Sequence, residues 1–202
     1  MKTTTLYKSL QRSISAASVI GLISFGQSAT AEKAADGNYK IDPAHTSVIF
    51  SINHLGTSEL VGRFNTLEGN LKLMPKGDST VKVTIDTASI DTNHKKRDDH
   101  LRGPDFFNAR QHPEITFVSD KVSYTDNGEP ETIEGKLSLH GKKNPVTLAV
   151  TAIGAGKDPW GGYRSGYRAS TTIKRSDYGM TYMADGIGDE ITITLNIEAI
   201  KQ

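Results

Sequence analysis

Apolar residues recur at every second position in segment after segment of this chain, the repeat of a strand with one buried face. Val48, Phe50 and Ile52 form such a set, with His54 next in phase; Leu67, Gly69, Leu71 and Leu73 form another. Val81, Val83 and Ile85 follow, then Ile115 and Phe117, then Ile133, Leu137 and Leu139. Val146, Leu148 and Val150, then Tyr167, Ala169, Thr171 and Ile173, and finally Ile191, Ile193, Leu195 and Ile197 bring the predicted strands to eight. Turn-forming clusters separate most of them: Pro75 to Asp78, Asp126-Asn127-Gly128, His140 to Pro145, and Asp185 to Asp189. Ala152 to Gly166, rich in glycine around the only tryptophan, reads as a longer loop. Short gaps predict antiparallel neighbours in up-and-down order. Stretches as long as Val61 to Leu73 and Thr80 to Ile90 would leave long exposed edges in an open sheet, and closing the sheet removes them. The predicted fold is all-β, an eight-stranded antiparallel barrel with a short helical segment between strands.

That helical segment is the one break in the strand rhythm. Asp91, Thr92 or Asn93 is positioned to cap it, Lys95 to Arg102 has neither proline nor glycine, and Gly103-Pro104 stops it. Three turns at most cannot stand alone in water, so the helix must dock, through Leu101, Phe106 and Phe107. Between two strands of a barrel it is placed to lie over one end as a lid.

The first residues read as an address. Lys2, Lys8 and Arg12 form a basic start, Ile14 to Phe25 is apolar but too short to span a bilayer, and Ala29-Thr30-Ala31 has the small-residue pattern cut by signal peptidase. Residues 1–31 are therefore predicted to be a signal peptide, and residues 32–202 a single domain of 171 residues (202 less 31). Removing three basic and no acidic residues changes 24 basic against 23 acidic into 21 against 23, a net charge of −2. A chain so near neutrality has no general attraction for nucleic acid. No later run is apolar enough to cross a membrane as a helix. With no cysteine there is no disulfide framework and no thiolate chemistry, so burial must supply the stability. The expected location is the periplasm in a two-membraned bacterium, and for another cell type simply the outside of the cell.

Several stretches, taken together in order and spacing, resemble the YceI-like family of exported lipid-binding proteins. They are Tyr39 to Ser47, His54-Leu55-Gly56, Val61 to Phe64, Ser89 to Thr92, Arg97 to Arg102, Asp105 to Phe107, Leu137 to Gly141 with Pro145-Val146, and Ile173 to Gly179. The resemblance implies a lipocalin-like barrel with an elongated apolar pore. Its expected partner is a long-chain amphiphile: a polyisoprenoid such as an isoprenoid quinone or polyprenyl phosphate, or a fatty-acid-like lipid. Gly103 and Asn108 depart from the family, which often has serine and aspartate there.

Phe50, Ile52, Val83, Ile85, Phe117, Leu139, Leu148, Ile173 and Ile193 share the inward phase. By pattern alone they either fill a solid core or line a cavity; the resemblance implies the cavity. Each methylene moved from water into such a pore gains about 0.8 kcal/mol, so a tail alone can supply affinity. Leu101, Phe106 and Phe107 are the expected contacts at the entrance. His54 reads as a polar anchor in the pore or as a barrel-end residue. Arg97 and Arg175 either hold a phosphate or carbonyl head group or join ion pairs, Arg97 with Asp98 and Arg102, Arg175 with Asp177. His45 and His140 sit at turns, where bonding to backbone carbonyls is the usual role. No cofactor other than a bound lipid is expected, and a single barrel and a homodimer both satisfy the pattern.

The alternative from another class is a metal-assisted hydrolase or isomerase using His94, Asp98 and His100, with His94 and Asp98 four residues apart on the helix. No HExxH, GxSxG or nucleotide-binding glycine motif supports an enzyme. A barrel serving only as an interaction module is a third reading, with a filled interior as its signature.

Overall fold

The structure, a computed structural model, describes residues 32–202; the predicted signal peptide lies outside the described residues. Alternation does set the strands. One face of each is buried and the other wet, as in Leu67–Leu73, where Leu67, Gly69, Leu71 and Leu73 are buried and Glu68 and Asn70 exposed. The strands are β1 Gly37–Ile41, β2 Ser47–His54, β3 Ser58–Phe64, β4 Leu67–Leu73, β5 Thr80–Asp86, β6 Ile90–Asp91, β7 Glu114–Tyr124, β8 Pro130–Leu139, β9 Lys142–Lys157, β10 Tyr163–Lys174 and β11 Ile187–Lys201. All pairings between them are antiparallel, and β1, β4, β5, β7, β8, β9, β10 and β11 close a ring of eight.

Three staves of the barrel are broken, and this is where the strand bounds depart from the sequence reading. β1 and β2 follow one another along β11, which pairs with β2 through Ile187 to Asn196 and with β1 through Ala199 to Lys201. Val61 to Leu73 is two strands, β3 and β4, parted at Asn65-Thr66, and Thr80 to Ile90 is interrupted by a 3₁₀ turn at Thr87–Ser89. The two breaks lie side by side: Asn65 N–H donates to Ser89 O at 3.1 Å and Asp86 N–H to Thr66 O at 3.0 Å. Backbone groups freed at one break thus pair with those freed at the other.

The expected loop from Ala152 to Gly166 is mostly strand. β9 runs on to Lys157 and β10 starts at Tyr163, leaving only residues 158–162 as the turn. Asp158 tightens it, its Oδ1 accepting from the Trp160 and Gly162 amides at 3.0 and 2.7 Å. In that turn Gly161 has a left-handed backbone, φ 88°, and Gly162 leaves room for the Asp158 carboxylate.

The helix α1, Lys95–Leu101, is capped by His94, whose Nδ1 accepts from the Arg97 amide at 3.2 Å. The three predicted caps are otherwise engaged. Asp91 closes its own turn by accepting from the Asn93 amide, Thr92 bonds to Asp98, and Asn93 has a left-handed backbone, φ 60°. Arg102 ties the end of the helix to the broken stave through Ala88 O and Ile90 O, each at 2.7 Å.

Candidate functional site

The inward faces of the ring enclose an apolar tunnel. Its wall includes Val83 and Ile85 of β5, Phe117 of β7, Leu139 of β8, Leu148 of β9, Ile173 of β10 and Ile193 of β11. Nearly all of the tunnel wall belongs to one contiguous core. The tunnel and its mouth hold about 1210 Å³ unfilled by atoms, but only about 110 Å³ of that is wide enough to seat a water. The space is therefore narrow. An apolar void of this kind stays dry and favours an apolar guest.

Phe50, Phe107 and Ile191 belong to the walls of both this tunnel and a second, more open chamber above it. An aromatic relay marks the junction: Phe50 and Phe64 lie 5.7 Å apart, and Phe64 meets Phe107 edge-on at 5.6 Å. Phe50 can lie there because its partner across the sheet is Gly62, where an added Cβ would come within 2.3 Å of the Phe50 ring. Phe107 comes from the turn after α1, so the charged helix does bring its two phenylalanines to the end of the barrel, where both are buried.

The outer chamber leaves about 530 Å³ wide enough for water. Ile52, His54, Arg97, Leu101, Phe106 and Arg175 line it, together with Leu60, Val61, His100, Met180, Tyr182, Met183 and Ile187. Val61 and Met183 are half-exposed or more, so its rim is partly apolar. All fifteen predicted contact residues thus line one chamber or the other: the apolar strand residues mostly the tunnel, and the polar and helix-end residues the outer chamber. Phe64 of the tunnel was missed, as were Leu60, Val61, His100, Ile187 and the loop residues Met180, Tyr182 and Met183 of the outer chamber; the three loop residues lie in no strand and leave no alternating signal.

The polar groups have specific partners. Arg175 forms no pair with Asp177. It is 3% exposed, and four of its N–H groups donate to the carbonyls of Met180, Tyr182, Ile187 and Gly188 at 2.7 to 2.9 Å. It organises the loop that walls the outer chamber. Arg97 likewise forms no pair with Asp98; its Nε and Nη2 donate to Thr92 Oγ1 and Thr92 O, both at 2.7 Å. Asp98 is buried and accepts from the Thr92 amide and hydroxyl at 2.9 and 2.5 Å. Arg102 pairs with Asp99 at 3.1 Å. His54 ends β2 and is exposed on the outer chamber, which fits a barrel-end residue that also faces the cavity.

His94, Asp98 and His100 do not converge. His94 is the helix cap, Asp98 is held by Thr92, and His100 Nε2 pairs with Asp105 at 2.9 Å while its ring packs edge-on against Phe106 and Tyr182. His140 Nδ1 does meet a carbonyl, Tyr178 O at 3.0 Å, whereas His45 Nδ1 meets the Asp42 carboxylate at 2.9 Å instead. Among the described residues the one His and carboxylate cluster is Asp42, His45 and Glu198 on the outer wall, and Arg164 occupies it. Its guanidinium reaches Asp42 at 2.6 Å, Glu198, and Asp158 at 2.9 Å. The Arg164 bond, then the His45 bond, pulls the Asp42 carboxyl down to about 2. That arrangement is an ion-pair clasp joining β10, β11 and the link between β1 and β2.

Known proteins share this architecture. The UPF0312 protein of Pseudomonas aeruginosa is 44% identical over 177 residues, covering 86% of this chain and 92% of that protein. A UPF0312 protein of Shewanella denitrificans is 42% identical, covering 86% and 91%. The crystal structure of Burkholderia cenocepacia BcnA matches at 25% identity with a TM-score of 0.68, over 78% of this chain and 98% of that one. A polyisoprenoid binding domain from Saccharophagus degradans has the same fold, with a TM-score of 0.63 at 15% identity over 81% and 98%. The model of the YceI-like domain matches residues 39–199, nearly the whole ring with its helix and both chambers, and the chain belongs to the YceI-like family.

Proposed function

We propose that this protein is an exported, periplasmic binding or carrier protein that holds a long-chain amphiphile, with its tail in the barrel tunnel. The observation that carries this reading is the tunnel itself, narrow and walled almost wholly by apolar side chains, opening past Phe50 and Phe107 into a chamber with polar groups. A tail moved there from water gains about 0.8 kcal/mol per methylene, so no polar contact is required for affinity. The small-residue pattern ending at Ala31 supports export, and among the described residues no helix is long and apolar enough to cross a membrane. A polyisoprenoid is the favoured class of ligand; a domain of the same fold carries polyisoprenoid binding in its name, which is support by analogy of fold. Metal-assisted catalysis loses its geometric basis, since His94, Asp98 and His100 each serve a separate local contact.

Native mass spectrometry of protein purified from cells expressing the full chain tests the reading. The expected result is a bound mass of several hundred daltons or more that organic extraction releases as lipid. Protein that carries no lipid when purified, and takes up none of a panel of isoprenoid quinones and alcohols, would refute it.

A further inference from the structure

The inward face of β10 runs from the lid end through Ile173, Thr171, Ala169 and Tyr167 to Ser165, and its last two members are polar. Tyr167 lines the tunnel and is 6% exposed; Ser165 beyond it is 1% exposed. The Tyr167 phenol oxygen, Ser165 Oγ and Glu129 Oε2 are all fully buried, and none has a hydrogen-bond partner outside this group among the described residues. Glu129 adjoins Pro130, which also lines the tunnel.

Buried polar atoms are paired in the large majority of cases, and one left unpaired costs about 1–3 kcal/mol. Of the three residues only Tyr167 lines the tunnel, with Ser165 next along the same inward face and Glu129 beside the lining Pro130; buried oxygens so placed at one end call for a partner that enters from the tunnel. We propose that Tyr167, Ser165 and Glu129 form a polar floor to the tunnel that takes a neutral oxygen-bearing head group, a hydroxyl or a carbonyl, of the bound amphiphile. The proposal rests on the carrier reading and adds both an orientation and a head-group class. The head lies at the floor and the tail runs back towards Phe50 and Phe107.

The donor and acceptor set fits such a group. A phenol and an alcohol each offer one O–H, and the carboxylate accepts the O–H of a ligand alcohol. Burial above all raises the Tyr167 pKa, a hydrogen bond with the Ser165 side chain offsets part of this, and Tyr39, Glu129 and Tyr124 add to the rise; Tyr167 therefore stays a protonated donor. The same set disfavours a phosphate. No lysine or arginine lines the tunnel, so a phosphate would lose its water beside a carboxylate with no cation to replace it. Two ammonium groups lie in this region without lining the tunnel: exposed Lys33, against Gly128, and Lys201, over the Tyr163 ring. The chain before β1 covers the same end, with Tyr39 donating to Ala35 O and Tyr163 to Lys33 O.

The test uses three probes with one C20 isoprenoid tail: geranylgeraniol, its monophosphate and the matching hydrocarbon. Each is titrated into delipidated native protein, Tyr167→Phe and Ser165→Ala. The native protein is expected to bind the alcohol about tenfold more tightly than the hydrocarbon, and the monophosphate no more tightly than the hydrocarbon. Tyr167→Phe is expected to erase most of the alcohol's advantage and to leave hydrocarbon affinity unchanged. Its melting temperature should fall little, because the phenol oxygen has no partner beyond Ser165 to lose. Ser165→Ala should act in the same direction. Equal affinities for alcohol and hydrocarbon, an advantage that survives Tyr167→Phe and Ser165→Ala, or tightest binding of the monophosphate would overturn the polar floor while leaving the carrier reading intact. Failure of all three probes to bind would remove both.

Discussion

Ala169→Trp is expected to weaken binding of a C20 isoprenoid alcohol by on the order of a hundredfold or more while the barrel still folds. Ala169 is buried on the inward face of β10, between Val150 of β9 and Leu195 of β11, and lines the tunnel between Thr171 and Tyr167. An indole there occupies the narrow space that a tail would use. Excluding as few as four methylenes forfeits about 3 kcal/mol of transfer free energy. Overpacking would cost about 1–3 kcal/mol of stability, against which the indole gains burial in space now empty. Urea denaturation separates the two effects by showing whether the variant is folded under the titration conditions. Ser170→Trp, one residue on and on the exposed face, is the control and should bind as the native protein does. Equal affinity of native protein and Ala169→Trp would mean that the tail lies elsewhere.

Arg175→Ala is expected to lower stability by about 3 kcal/mol or more, the largest loss anticipated for a single polar side chain here. The guanidinium is buried and bridges four carbonyls spread over residues 180 to 188. Its removal leaves those acceptors without donors and frees the segment carrying Met180, Tyr182, Met183 and Ile187, one wall of the outer chamber. Arg175→Lys should rescue little, since an ammonium cannot span a fork of carbonyls with the planar geometry of a guanidinium. The urea midpoint and the hydrogen exchange of residues 180–188 report the two consequences. A midpoint within about 0.5 kcal/mol of native stability would show that the loop is held by other contacts.

The barrel was legible because alternation is a direct projection of burial. Each inward set that the sequence offers, from Val48-Phe50-Ile52 to Ile191-Ile193-Leu195-Ile197, lies in a strand of the sheet. The staves that offered no inward set of their own are short or interrupted by glycine. β1 holds only Tyr39 and Ile41 as its buried pair, β3 has Gly62 in the inward phase where Phe50 needs room, and β6 is two residues long. The glycines of Ala152 to Gly166 resembled a loop because composition carries no information about a partner strand that accepts them.

Charged groups were less legible than apolar ones. Arg97, Asp98, Arg102, Arg175 and Asp177 suggested ion pairs from their closeness in sequence, but Arg97, Asp98 and Arg175 bind Thr92 or backbone carbonyls instead. The strongest ion-pair cluster, Arg164 with Asp42, Asp158 and Glu198, joins residues up to 122 positions apart. Only strand register brings them together, through the pairing of β10 with β11 and of the adjoining β1 with β11. The buried oxygens of Tyr167 and Ser165 are equally invisible in sequence, since a polar residue in an inward phase signals nothing about whether it finds a bond.

Transfer of a tail from water into the tunnel is the driving force on which this account depends, and a tail-length series measures it most directly. Delipidated protein would be titrated with isoprenoid alcohols of two, three and four units that share one head group. Each added unit of five carbons can contribute at most about 4 kcal/mol, and a gain of at least tenfold in affinity per unit is the expected result until the tunnel is full. Affinity that stays flat across the series would contradict the account, because it would show binding through the head group alone.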